Sequence, residues 1–203
     1  MKNKKHTAGQ SLQTRLRPLL LAMALGAGVG HLSAQTSPPQ ANALPQGALV
    51  RSGSASWQVS GAAANPLLRV QQQSDRVVLD WQNFDIGRQA SVRFEQPNAQ
   101  SVALNQIRGA APSQIEGQLM ANGRVYLSNP QGVLFSPTAQ VDVGGLVATT
   151  LQADMAAWAR GESVWLKDAL TPRTARVENA GVLRAAAKGF VALMAPEVRN
   201  VAR

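Results

Sequence analysis

The chain has 203 residues and no cysteine, which excludes disulfides, thiolate nucleophiles and cysteine metal sites. It has two histidines, His6 and His31, and both precede residue 35. Without that opening segment, serine–histidine triads, histidine-ligated zinc and imidazole acid–base chemistry are excluded too. Helical periodicity is scarce. It appears once, over residues 154–160, where Asp154 suits an N-cap and Gly161 a stop. Acids are missing from residues 1–17, which hold five basic residues: Lys2, Lys4, Lys5, Arg15 and Arg17. The formal net charge of +9 therefore misleads, because it falls to +4 from residue 35 onward. The remaining arginines are dispersed among acids, so nucleic acid is not an expected partner.

Residues 1–34 read as a secretory signal. The basic stretch is followed by an apolar run from Leu19 to about Gly30, then by small residues ending at Ser33-Ala34. That run is about a dozen residues, short of the roughly 20 needed to span a membrane. No other segment is apolar and long enough. The general export machinery is the partner such a signal implies. Cleavage is placed after Ala34, and Ala41-Asn42-Ala43 offers a second site farther downstream. Residues 35–48 read as an extended, poorly ordered leader.

The body is patterned with period two. Ser91-Val92-Arg93-Phe94, Ser101-Val102-Ala103-Leu104, Arg124-Val125-Tyr126-Leu127 and Gln140-Val141-Asp142-Val143 are short alternating segments between turn residues. The class is all-β. Val177-Glu178-Asn179 recurs as Val198-Arg199-Asn200, a spacing close to one coil of a parallel β-helix. In that architecture Asn179 and Asn200 stack at equivalent turns. In a β-sandwich the repeat is coincidence, and the pattern leaves both architectures open.

Several turn motifs stand out. Asn129-Pro130-Gln131-Gly132 reads as a β-turn, with Pro130 at the second position, Gly132 supplying left-handed freedom and Asn129 bonding its own backbone two residues on. Asn122-Gly123 reads as a second tight turn, and Gly144-Gly145 as a close backbone approach or bulge. Trp81, Trp158 and Trp165 read as packing residues in preference to sugar-stacking ones. Asp75, Asp80, Asp85 and Glu95 lack calcium-loop spacing and read as outward charges. No catalytic, metal-binding or cofactor-binding residue is expected.

Asn105-Gln106-Ile107-Arg108-Gly109, Pro112–Gly117, Ala121–Leu127, Asn129–Val133 and Val141–Ala148 follow one another in a series. With Leu44–Gly47, Asp80–Gly87 and Gly189–Pro196, that series resembles the haemagglutination activity domain. This is the N-terminal secretion domain of filamentous-haemagglutinin-like, two-partner secretion exoproteins. Gln131 and Val133 replace the second asparagine and the isoleucine of the family's NPNGI motif, Gln106 stands where arginine is common, and no NPNL motif is found.

The resemblance implies a right-handed parallel β-helix with an N-terminal cap, here Val50–Val78, and small extra-helical sheets. The domain of residues 49–203 would reach the periplasm incompletely folded. There the periplasmic domains of an outer-membrane β-barrel transporter would recognise it, and it would fold at the cell surface. Asn105, Asn122, Gly123, Asn129, Pro130, Gln131 and Gly132 are the candidate recognition and turn residues, and Gly144 and Gly145 structural turn residues. A host surface or glycan is a further candidate ligand. Val198–Val201 reads as the start of another coil, and the sequence shows no C-terminal cap or continuation. The alternative reading is a β-helical protein that binds or degrades polysaccharide.

Overall fold

The computed structural model describes residues 37–167, 169 and 171–202. The secretory signal expected over residues 1–34 therefore lies outside the described residues. The rest is a parallel β-helix with three faces. The cap holds β1 (Leu49–Ser52) and a hairpin of β2 (Ala55–Ala62) and β3 (Asn65–Gln72). The first coil runs from β3 through β4 (Arg76–Trp81) to a bridge at Ile86. The second holds β5 (Ser91–Glu95), β6 (Val102–Ile107) and β7 (Ser113–Ile115). The third holds β8 (Gln118–Ala121), β9 (Arg124–Ser128) and β10 (Val133–Phe135). The fourth begins with β11 (Gln140–Val143) and β12 (Gly145–Thr149). It is then interrupted by β13 (Gln152–Ala153), the helix α1 (Met155–Ala159) and β14 (Trp165–Leu166), and it closes with β15 (Arg176–Asn179). The last comprises β16 (Val182–Ala185), β17 (Val191–Met194) and β18 (Glu197–Asn200).

The faces are sheets ordered β1-β4-β6-β9-β12-β17, β2-β3-β5-β8-β11-β16 and β7-β10-β15-β18. Pairing between coils is parallel, while β1, β2 and a Gln46–Asn83 bridge join antiparallel at the capped end and β13 pairs antiparallel with β14 in the interruption of the fourth coil. Register places like residues above like. Leu68, Val92, Leu119, Val141 and Leu183 form one inward row, and Val77, Ala103, Val125 and Leu146 another. Their burial removes apolar surface at about 25 cal/mol per Å², the main source of stability. The parallel register decides between the two architectures left open by the sequence. Asn179 pairs with Asn200, and its amide nitrogen donates to the Asn200 amide oxygen at 3.0 Å across 21 residues.

One outward row is also apolar: Val78, Leu104, Tyr126, Val147 and Ala192. The interruption after β12 covers it, with Trp158 and Trp165 set against Tyr126. The carboxylate of Asp154 caps α1 by accepting from the Ala156 and Ala157 amides, and Gly161 follows at φ +86°. Both are as the sequence indicates. Residues 37–48 differ from the expectation of a loose leader. They are strapped to the corner at Phe84–Ala90 by backbone hydrogen bonds, among them Gly87 N–H to the Ala43 carbonyl (2.9 Å). No helix among the described residues is long and apolar enough to cross a membrane.

Candidate functional site

The candidate residues occupy two kinds of corner and one core position. At the corner from the second face to the first, Asn122-Gly123 connects β8 to β9. The two-residue turn expected there is a bend that changes face within a coil. The Asn122 amide accepts from the Gln96 N–H at 2.8 Å and donates to the Gln96 carbonyl at 2.7 Å, pairing with the coil below as a strand would. A Cβ on Gly123 would lie 2.7 Å from Gln96 Oε1 and 2.8 Å from the Ser101 carbonyl. The requirement is space, since Gly123 has no positive φ. Gly144 stacks directly above, its N–H donating to the Gly123 carbonyl at 2.7 Å, and Gly189 lies above that. The close approach expected at Gly144 is therefore present. The neighbouring Gly145 is buried in β12, with the Phe190 ring 3.2 Å from where its Cβ would be.

At the corner from the first face to the third, Asn129–Gly132 connects β9 to β10. The Asn129 carbonyl accepts from Gly132 N–H at 2.9 Å, and its side-chain oxygen accepts from Gln131 N–H at 2.9 Å. Both bonds are those the sequence indicates. The side-chain nitrogen donates to the Ala111 carbonyl (3.0 Å) and to Ser113 Oγ (3.1 Å). Asn129 is 0% exposed. Gly132 sits at φ +122°, with no room for a Cβ beside the Arg176 carbonyl. Only Pro130 and Gln131 of this turn reach the surface, and they are half-buried.

Asn105 is separate from both corners. It points inward between Leu79 and Leu127, also at 0% exposure. Its amide oxygen accepts from the Trp81 indole N–H at 2.9 Å, and its nitrogen donates to the Ala103 and Tyr126 carbonyls at 3.2 Å. A buried amide is tolerated because its polar atoms are partnered. The candidate residues are thus not gathered into one pocket. They are the polar joints between successive coils.

The sequence reading missed Gln96, the hub of the second-to-first-face corner. Its side chain donates to Gln72 Oε1 and to the Ser101 and Arg124 carbonyls, and accepts from Gly123 N–H. Nothing in the local sequence distinguishes it from a surface glutamine. It also missed the outward apolar row, which is hidden because β6 is buried on both faces.

The carboxylates are each held separately. Asp80, 4% exposed, lies 2.6 Å from Arg51 Nε and 3.1 Å from an Arg108 nitrogen, and Glu95 faces Arg69 at 3.2 Å. Asp75 accepts from Asn98. Asp85 accepts from the Gln114 N–H at 2.8 Å, but burial outweighs that bond and pushes its carboxyl above the ordinary value. Arg76 stacks on Trp158 with 3.6 Å between guanidinium carbon and ring centroid, and burial lowers its pKa. No group of three or more His, Cys, Asp or Glu able to hold a metal ion occurs among the described residues.

Comparison with known proteins agrees with this architecture. The HMW1 secretion domain of Haemophilus influenzae superposes with a TM-score of 0.72 at 27% identity, over 78% of this chain and 41% of that one. Two Haemophilus influenzae proteins named heme/hemopexin-binding protein are also similar. One is 49% identical over 83 residues and the other 44% over 107, covering 41% and 53% of this chain. The chain spans only 9% and 11% of their lengths. The family model of the TPS secretion domain matches residues 41–203. The chain belongs to the TPS secretion domain family, the module of two-partner secretion exoproteins whose partner is an outer-membrane transporter.

Proposed function

We propose that the domain engages its transporter from the periplasm while incompletely folded, and that folding coil upon coil at the cell surface completes export. The observation carrying this reading is the burial of the joints. Asn129 and Asn105 are inaccessible in the folded domain, so a partner can read them only before the coils close. Each joint is also completed by an adjacent coil: Asn122 by Gln96, Asn129 by Ser113, and Gly144 by Gly123. A chain emerging through a pore could form them one after another, as expected for a solenoid with nearest-neighbour contacts. Asn122, Gly123, Asn129, Pro130, Gln131 and Gly132 are then folding joints first, with Pro130 and Gln131 the best placed for contact afterwards.

The domain acts by recognition, not catalysis. The separate partners of Asp80, Glu95, Asp75 and Asp85 support this over the polysaccharide-degrading alternative, which needs two carboxyls flanking one bond. Heme or hemopexin binding, the property in the relatives' names, belongs in this reading to sequence outside the shared tenth. The test is co-expression with and without an outer-membrane transporter from the same genome, with assay of the medium. Transporter-dependent appearance of the domain outside the cell is expected. Equal amounts in the medium with and without it would refute the reading.

A further inference from the structure

We propose that the cleft where the interruption leaves and rejoins the fourth coil binds an amphipathic carboxylate, with its head at Lys167 and Arg173 and its aliphatic chain against Leu151, Met194 and Pro196. The cleft has a volume of about 770 Å³. That lies within the range of small-molecule sites, about 300–1,000 Å³. Its origin is the interruption itself. In the third coil, Asn129–Gly132 alone cross the corner from the first face to the third. In the fourth coil the chain leaves that corner at Thr150-Leu151 and returns to it at Thr171–Arg173. The two limbs, joined by a Thr171 hydroxyl bond to the Thr150 carbonyl at 3.4 Å, form the sides of the cleft. The same corner of the last coil, Ala195-Pro196, closes it on the next level.

The lining has two kinds of chemistry. Leu151, Met194 and Pro196 present apolar surface, and Lys167 and Arg173 are exposed cations. Among the described residues, no carboxylate lines the cleft and neither cation takes part in an ion pair. Glu178 and Glu197, on the adjoining strands β15 and β18, are held by Arg176 at 2.9 Å and Arg199 at 2.5 Å. Two unpaired cations beside an apolar wall complement a carboxylate on a hydrocarbon chain. The guanidinium and ammonium donate to its oxygens while the chain leaves water. A further polar group agrees with this. Thr149 pairs with Ser128, so Thr150 stands one coil above Asn129. The Asn129 side chain bonds the coil beneath it, but Thr150 is 0% exposed and its hydroxyl has no hydrogen-bond partner. Buried hydroxyls are ordinarily paired, and this residue lines the cleft. A purely apolar ligand leaves both cations and this hydroxyl unanswered.

The assignment is independent of the export route, so neither result below bears on that reading. Decanoate is the probe, titrated calorimetrically into the purified chain below its micelle concentration. Decyltrimethylammonium, the same chain with a cationic head, is the comparison. Decanoate is expected to saturate one site, and the cationic analogue to bind far more weakly. Lys167→Gln with Arg173→Gln should weaken decanoate binding about tenfold. Both side chains are exposed, so the urea midpoint of that double variant should match the natural chain's. Thr150→Val keeps the shape and removes the unpaired hydroxyl. It should weaken decanoate binding while leaving the urea midpoint no lower. Absence of saturable decanoate binding, equal affinity for the two head groups, or unchanged decanoate affinity in the double variant would each overturn the proposal.

Discussion

Asn129→Ala tests whether the polar joints hold the coils together. The substitution removes a side-chain acceptor from the Gln131 N–H and a donor shared by the Ala111 carbonyl and Ser113 Oγ, at 2.9, 3.0 and 3.1 Å. The site is fully buried, so no bulk water replaces the lost partners. A backbone group left unsatisfied costs about 1–3 kcal/mol, and a typical hydrogen bond contributes roughly 1 kcal/mol. With one such orphan and the shared donor lost, the expected destabilisation is about 2–4 kcal/mol. That is a large part of the ~5–15 kcal/mol that holds a domain folded. Arg124→Ala is the control. It removes a side-chain bond to the exposed Gln100 and a cation–π contact with Phe190 at 5.8 Å, together worth about 1 kcal/mol or less.

Urea unfolding of both variants, followed by circular dichroism, gives the comparison directly. Asn129→Ala should move the midpoint far more than Arg124→Ala, with an unchanged slope. Export in the co-expression assay should fall in the same order. Equal midpoints would refute the joint's energetic role. A normal midpoint with lost export would show instead that Asn129 is read by the transporter and is not needed for the fold.

Gly144→Ala should destabilise the domain by several kcal/mol, because its Cβ would lie 2.7 Å from the Gly123 carbonyl oxygen and 3.0 Å from Gly123 Cα; a melting temperature unchanged from that of the natural chain would contradict it. Trp158→Ala should cost about 3–5 kcal/mol and uncover the row that includes Tyr126 and Val147, seen as new binding of an apolar fluorescent dye. Asp85→Asn should stabilise the domain at neutral pH. Its folded carboxyl titrates above the ordinary value, so the native state holds a proton that the unfolded chain has lost, and stability falls as pH rises through that interval. The amide keeps an acceptor for Gln114 N–H without the buried charge, so its advantage should vanish below the ordinary carboxylate range. An advantage that grows toward low pH would reverse the sign and refute it.

The strands were legible because they alternate. Ser91–Phe94 falls within β5, Arg124–Leu127 within β9 and Gln140–Val143 is β11. The helical turn was legible through Asp154 and Gly161 alone. The architecture was harder to read, since one repeated tripeptide fits a solenoid and a sandwich equally. Two features obscured the period. The stretch between β12 and β15 separates residues that are neighbours in space, as in Leu146 and Val191. The strands of the first face are apolar on both sides, so β6 reads as a buried run with no outward face. Uninterrupted one-coil spacing joins β7 to β10, β8 to β11, β9 to β12 and β15 to β18, but only the last of these carries two matched residues, Val177 with Val198 and Asn179 with Asn200.

The candidate site was legible as turn chemistry but not as geometry. Asn129-Pro130-Gln131-Gly132 announces its own bonds because both lie within four residues. Asn122 does not, because its partner is the Gln96 backbone one coil away, and only the register brings them together. The same is true of Gly123, whose glycine is required by Gln96 and Ser101 and not by any left-handed φ. This bears on how the domain works. Residues whose bonds are local can be shaped before the coils assemble, so the Asn129 turn is the joint best able to present itself in an unfolded chain. Residues whose bonds cross coils acquire their form only with the neighbouring coil in place. In the proposed export route, the local bonds of Asn129 to Gln131 and Gly132 can form before the coils assemble, whereas its bonds to Ala111 and Ser113, like those of Asn122, Gly123 and Gly144, form only with the neighbouring coil in place.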